Sequence, residues 1–262
     1  MNRIDKKFQE LKSENKKAFI GFVTAGDPTL EKTIDIVLGL EEAGTDIIEI
    51  GIPYSDPLAD GPVIQLASQR AFQNKDLSVD NIIKMVEAIR EKTELPLLFL
   101  VYINTIIVYG KEKFIKKCSE AGIDGLIIPD MPLEERGELM DLIMQTDMAL
   151  IPLVAPTSKD RVEKIIENCK GFVYCVSSLG VTGRSSDFHR DVVDYLKQVK
   201  AKSPLPIAVG FGISKKEDII ALKDYVDGAI VGSAIVNMVG EGNGEPEVVK
   251  SFVKDMIEEC HR

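Results

Sequence analysis

The sequence predicts an α/β protein built as one closed (β/α)8 TIM barrel, with an extra N-terminal helix and long loops after strands two and six. Three observations carry this expectation. The chain has 262 residues, close to the ~250 typical of such barrels. Eight short apolar runs alternate with one-sided helical patterns, which is the order of a parallel sheet wrapped in helices. The starts of those runs are spaced evenly except for two stretched intervals, and barrels carry their function in the loops that follow strands.

The strand candidates are Phe19–Thr24, Asp46–Ile50, Leu97–Val101, Gly125–Ile128, Ala149–Val154, Phe172–Ser177, Ile207–Val209 and Gly228–Val231. Several are apolar throughout, as strands covered on both faces must be. Helical spacing recurs between them, in Ile34, Val37 and Leu38, in Ile82, Ile83, Val86 and Ile89, and in Leu139, Met140, Ile143 and Met144. It returns in Val162, Ile165, Ile166 and Cys169, in Val192, Val193, Leu196 and Val199, and in Val249, Phe252, Val253, Met256 and Ile257. Each set makes one apolar stripe to lay on a sheet. The stretched intervals place extra residues at Gly51–Leu77 and Ser178–His189. A doubly wound open sheet is the weaker alternative, because no G-x-G-x-x-G follows the first strand. No composition shift divides the chain. Gly240–Glu247 reads as a turn before the last helix, so residues 1–262 are expected to form one domain.

The formal net charge is −10, which argues against a nucleic-acid partner. It leaves room for a phosphorylated metabolite, since backbone N–H groups bind phosphate without cationic side chains. Cys118, Cys169, Cys175 and Cys260 form no C-x-x-C pair and read as reduced thiols. No apolar run reaches the length of a membrane span, and Met1 to Glu14 is charged with no apolar leader core, so the expected compartment is the cytoplasm.

The chemistry concentrates after strand two. Glu49 lies between Ile48 and Ile50. A carboxylate in such a strand is costly to bury unless it is paired or protonated, and burial lifts its pKa toward the range of a general acid. The competing account is a structural Glu held by an ion pair. Asp60 ends a loop rich in Pro, Ser and Asp, and serves equally well as a turn residue or helix cap. Gly210–Ser214 and Gly232-Ser233 follow strands seven and eight, where barrels commonly build a phosphate site; tight strand-to-helix turns explain the same glycines. Phe22, Leu100, Tyr102, Tyr174 and Phe211 sit at or just past strand ends, as pocket walls or simply as core.

The segment Ile48 to Gly61, I-E-I-G-I-P-Y-S-D-P-L-A-D-G, resembles the signature of the tryptophan synthase α family throughout. Phe22–Pro28 (F-V-T-A-G-D-P), Gly180–Gly183 (G-V-T-G), Gly210–Ile213 (G-F-G-I) and Gly232–Val236 (G-S-A-I-V) are similar to the family in order along nearly the full chain. The resemblance implies retro-aldol cleavage of indole-3-glycerol phosphate to indole and D-glyceraldehyde 3-phosphate. It assigns Glu49 and Asp60 as the catalytic pair, with Glu49 moving protons at indole C3 and the glycerol hydroxyl, and Asp60 accepting from the indole N–H. It makes Phe22, Leu100, Tyr102, Tyr174 and Phe211 the indole pocket, and Gly183, Gly212, Gly232 and Ser233 the phosphate contacts. The resemblance also implies that Thr182 helps order the loop around Asp60. The implied partner is a tryptophan synthase β subunit in an α2β2 heterotetramer, docked near Pro53, Asp56, Pro57, Asn104 and Pro132. No cofactor is implied for this chain, because pyridoxal phosphate belongs to the β subunit. Two departures are visible: Thr105 stands after Asn104 where the family often has proline, and Pro129 precedes Asp130 where a small residue is common.

Other chemistries fit poorly. The only histidines are His189 and His261, far apart in sequence, which disfavours a histidine metal site. No lysine falls in a predicted strand, which disfavours a Schiff-base aldolase. Two alternatives remain, a related phosphate-binding isomerase or epimerase barrel and a non-catalytic ligand-sensing barrel. The two glycine loops fit all three; the Glu49–Asp60 segment separates them.

Overall fold

A computed structural model describes residues 1–158, 160–176, 186–210 and 212–262, the side chains of 186–190 excepted. Its strands are β1 (Ala18–Thr24), β2 (Ile47–Gly51), β3 (Leu97–Leu100), β4 (Gly125–Ile127), β5 (Ala149–Leu150), β6 (Leu153–Val154), β7 (Val173–Val176), β8 (Ile207–Gly210) and β9 (Gly228–Val231). The helices are α1 (Arg3–Ser13), α2 (Leu30–Glu42), α3 (Pro62–Ala71), α4 (Val79–Arg90), α5 (Ile103–Tyr109), α6 (Lys111–Glu120), α7 (Gly137–Ile143), α8 (Val162–Ile166), α9 (Ser186–Lys202), α10 (Lys216–Leu222), α11 (Ser233–Glu241) and α12 (Pro246–Cys260).

All strand pairs are parallel, in the order β5-β4-β3-β2-β1-β9-β8-β7-β6. The two ends of that order, β5 and β6, are consecutive pieces of one run. Between them Ile151 N donates to Leu126 O at 2.9 Å on one side, and Tyr174 N donates to Pro152 O at 2.9 Å on the other. The sheet therefore closes through the fifth expected strand, which is divided in two at Pro152. Proline has no N–H for the ladder, but its carbonyl still pairs. The expected eight-strand barrel is the observed one, with this break as a correction of detail.

Strand alternation decides what faces the barrel axis. Ala18 and Ile20 of β1, Ile47 of β2, Leu98 of β3, Ile127 of β4 and Ala208 of β8 form an inner cluster with Ile151, Phe172 and Ile230. Their neighbours Phe19, Val23, Ile48, Ile50, Leu97 and Phe99 belong to the outer layer against the helices. Helix α1 closes the floor. Its Ile4, Phe8 and Leu11 join the inner cluster, and the Phe8 and Phe172 rings lie 5.5 Å apart. Asn2 caps α1 by accepting from Ile4 N at 2.8 Å, while its amide donates to Asp124 O at 2.7 Å. Asp124, buried beneath the barrel, takes Arg3 at 3.1 Å and Arg90 at 2.6 Å. With the floor plugged, open access to the axis is left at the other end, where the strands finish.

Candidate active site at the barrel mouth

Glu49 is inward by the same alternation that places Ile47 in the inner cluster. Its partners across the sheet are Phe22 on β1 and Leu98 on β3. Glu49 is 1% exposed, and its Oε2 has no hydrogen-bond partner among the described residues. Taking a carboxylate out of water without a partner disfavours its charge. Burial, reinforced by the nearby charge of Asp60, pushes the Glu49 carboxyl up to about 8. Among the described residues Glu49 has none of the ion pairs considered from sequence.

Asp60 stands two residues before α3. Gly61, the N-cap, offers no side-chain cap, and Pro62 begins the helix; Asp60 is not the cap residue. Partial burial raises its pKa, opposed by a hydrogen bond with the Tyr102 hydroxyl. That hydroxyl also accepts from Ala59 N at 3.0 Å, so Tyr102 holds the end of the loop that carries Asp60. Tyr102 is itself buried, stacked 4.8 Å from Tyr54. Its backbone is fixed from below, since Ile103 N donates to Asp130 Oδ1 at 2.9 Å. Tyr174 faces the same space. Burial, with the charges of Glu49 and Asp60 adding to it, raises its pKa well above the ordinary phenol value, so it stays neutral.

The apolar walls converge on these groups. Phe22 packs with Ala67 and Val236, and Val63, Ile64 and Leu100 border them. Phe22 fits because Gly51 has no side chain: a Cβ there would lie 2.5 Å from the Phe22 ring. Gly232 adjoins the same ring, with its missing Cβ 3.5 Å from that of Phe22. It is the N-cap of α11 and has no side chain to accept a capping bond, so the first N–H groups of that helix have no intrahelical acceptor, and Ser233 at that end is exposed. Gly212 has φ +64° and open space around it, a left-handed position that favours glycine.

Seven expected residues therefore meet at one mouth: Glu49, Asp60, Tyr102, Tyr174, Phe22, Leu100 and Gly232. Ser233 and Gly212 lie at its exposed rim. Thr182, Gly183 and Phe211 lie outside the described residues. Of the expected docking residues, Asp56, Asn104 and Pro132 are exposed and Pro57 is half-buried, but Pro53 is buried directly after β2 and offers no outer surface. Sequence reading missed Tyr54, Gln65, whose amide donates to Asp60 O at 2.9 Å, and Thr24, whose buried hydroxyl has no partner. Thr24 is two residues beyond Phe22 and so faces inward; that period was the available signal. A separate cavity of about 330 Å³ opens beside Pro129, Arg136, Pro152 and Cys169. It has no acidic lining, unlike the mouth, where two carboxylates meet. Among the described residues no cluster of His, Cys, Asp and Glu is arranged to hold a metal. All four cysteines are free, and no described helix is long and apolar enough to cross a membrane.

Comparison with known proteins gives one family. The model for "Tryptophan synthase alpha chain" matches residues 8–261. The chain is 56% identical over 261 residues to the tryptophan synthase alpha chain of Thermoanaerobacter sp. (strain X514), covering 98% of this chain and 99% of that one. It is 52% identical to the same protein of Caldanaerobacter subterraneus subsp. tengcongensis, covering 98% and 97%. Among solved structures, tryptophan synthase subunit alpha from Legionella pneumophila superposes with TM-score 0.91 at 34% identity, over 99% of this chain and 98% of that one. A chain from the tryptophan synthase a2b2 complex of Pyrococcus furiosus gives TM-score 0.87 at 32% identity, over 93% and 99%.

Proposed function

Because this chain belongs to the tryptophan synthase alpha chain family and is therefore a lyase, we propose that it cleaves indole-3-glycerol phosphate to indole and D-glyceraldehyde 3-phosphate, with Glu49 and Asp60 as the catalytic pair. The observation that carries this reading is the buried Glu49 beside Asp60, its Oε2 without a hydrogen-bond partner among the described residues. Indole is a poor leaving group as a carbanion. Protonation at C3 makes an indolenine, from which neutral indole departs. A carboxyl with its pKa pushed up to about 8 is protonated near neutral pH and serves as that acid. Once deprotonated, Glu49 takes the proton of the glycerol hydroxyl as the C–C bond breaks and the aldehyde forms.

Asp60 acts as the anion. It sits nearer solvent, and the Tyr102 hydroxyl stabilises its charged form. Placed at the ring N–H, it stabilises the positive charge that develops when C3 is protonated, an interaction stronger in the transition state than in the bound substrate. Burial raises both carboxyls, but only for Asp60 does a hydrogen bond oppose the rise; unequal surroundings of this kind are a recurring way to divide acid and anion roles. Phe22 and Leu100 wall the indole, and neutral Tyr174 borders both acids. The N–H groups at Gly232-Ser233 and Gly212 receive the phosphate, and Thr182, Gly183 and Phe211 are assigned with them by family resemblance. An isomerase or epimerase shares the phosphate end but has no use for an acid aimed at an aromatic ring.

Residues 1–262 are read as one barrel domain acting in the cytoplasm. The partner is a tryptophan synthase β subunit in an α2β2 assembly, with pyridoxal phosphate chemistry belonging to that subunit. The test is indole release from purified chain and indole-3-glycerol phosphate. Glu49→Gln should lower kcat by on the order of 10²–10⁴-fold while glycerol 3-phosphate still binds. Turnover at the parent rate would remove Glu49 from the acid role.

A further inference from the structure

Arg70 lies at the end of α3 away from Asp60. Its guanidinium forms a two-pronged pair with Asp27 on the loop after β1: Nε donates to Oδ1 at 2.8 Å and Nη2 to Oδ2 at 2.6 Å. Asp27 is 2% exposed, so this pair is shielded on one side and its planar geometry is fixed. The same guanidinium rests on α11. A Cβ at Gly240 would lie 3.0 Å from Nη2 and 3.2 Å from Cζ of Arg70, so the bare backbone of that helix leaves room for it. Asn74, just past α3, adds a second anchor. Its amide donates to Gly26 O at 2.7 Å and to Pro28 O at 2.9 Å.

Three elements of the proposed site thus meet at one side chain. The β1 loop continues the strand of Phe22. Helix α3 follows Asp60. Helix α11 begins at Gly232-Ser233, the proposed phosphate end. The far end of α3 is pinned, whereas its near end has no side-chain cap. A ten-residue helix behaves as a rod roughly 15 Å long, so its pinned end, together with Tyr102 and Gln65 at the near end, fixes where Asp60 sits.

We propose that Arg70 is a positioning residue for catalysis: by tying α3 to the β1 loop and to α11 together, it sets the distance between the Asp60 carboxylate and the phosphate-binding end of the site. This inference rests on the function proposed above. Arg70 touches no reacting atom, so its loss should spare substrate binding and slow the chemical step.

The test compares the parent chain with Arg70→Lys and with the neutral double variant Asp27→Asn/Arg70→Gln, which leaves no orphan buried charge. Indole release and inhibition by glycerol 3-phosphate are measured at a temperature where each is folded. The double variant should lose roughly ten-fold or more in kcat, since small misplacements of reacting groups are costly, with KM and the inhibition constant within about two-fold of the parent. Arg70→Lys, which keeps the charge but not the fork, should recover part of the loss. Parent-like kcat in both variants overturns the inference, as does a proportional fall in folded fraction and activity with unchanged kcat per folded molecule. If the double variant does not fold, Arg70→Lys decides alone: reduced kcat at unchanged KM supports the inference, and parent kcat overturns it. A parent chain that releases no indole rejects the proposed reaction, and the positioning role falls with it.

Discussion

At the scale of single residues, Glu49 is held where a carboxylate is unstable. The sign of its effect on folding follows from its raised pKa. The folded state holds this proton more tightly than the unfolded chain, whose value is near the ordinary 4.5. The favourable contribution is complete below that ordinary value and is lost as pH rises toward about 8. A neutral amide of the same shape escapes the loss. Glu49→Gln is therefore predicted to be more stable than the parent at pH 8 by on the order of a few kcal/mol, and the advantage should shrink as pH falls toward 5. Urea unfolding at several pH values measures it. An advantage independent of pH would contradict the assigned cause. The acid that gives the site its chemistry is thus a local cost to the fold, in line with the trade between activity and stability.

At the scale of elements, α1 is a stopper rather than an appendage. Phe8 is 5% exposed and packs beside Phe172 inside the floor of the barrel. Phe8→Ala should cost about 3–5 kcal/mol in urea unfolding, while kcat at low temperature stays near the parent value because the mouth is at the opposite end. A large fall in kcat with little loss of stability would show that the floor and mouth are coupled. The apolar strands were legible because parallel strands covered on both faces read as continuous apolar runs. Helices α5 and α6 were not. Ile107 and Val108 of α5 are exposed, and Lys111, Lys113, Lys116 and Lys117 break up the stripe that Phe114, Ile115 and Cys118 make on α6. The division of the fifth strand was readable from Pro152, but only as a gap in donors and not as the point where the sheet closes.

At the scale of the molecule, the mouth carries both the site and an unusual surface. Leu58 is 92% exposed, Val108 79% and Ile107 53%, all on segments that follow β2 and β3. Exposed apolar side chains on segments that leave the strand ends suit a contact surface, and the proposed β subunit is the partner for it. Added β subunit should raise the rate of indole release, and Leu58→Asp/Val108→Asp should abolish that rise while leaving the rate of the free chain unchanged. Activation that survives the double change would place the contact elsewhere. The pairing of Glu49 with Asp60 was visible in sequence only through family resemblance, since Ile48 and Ile50 flank Glu49 whichever way it points. The link between Asp27 and Arg70 was not visible, because 43 positions separate them and neither belongs to a local pattern. Register and closure of the whole barrel bring such residues together.

The central claim is that Glu49 is a protonated acid at neutral pH, its pKa raised by burial and by the charge of Asp60. Following the Glu49 side-chain carbon by ¹³C NMR against pH in the folded chain tests this most directly. The predicted titration is centred near 8 and moves downward in Asp60→Asn, which removes a neighbouring negative charge. A titration in the ordinary carboxylate range, unmoved by that change, would contradict the account.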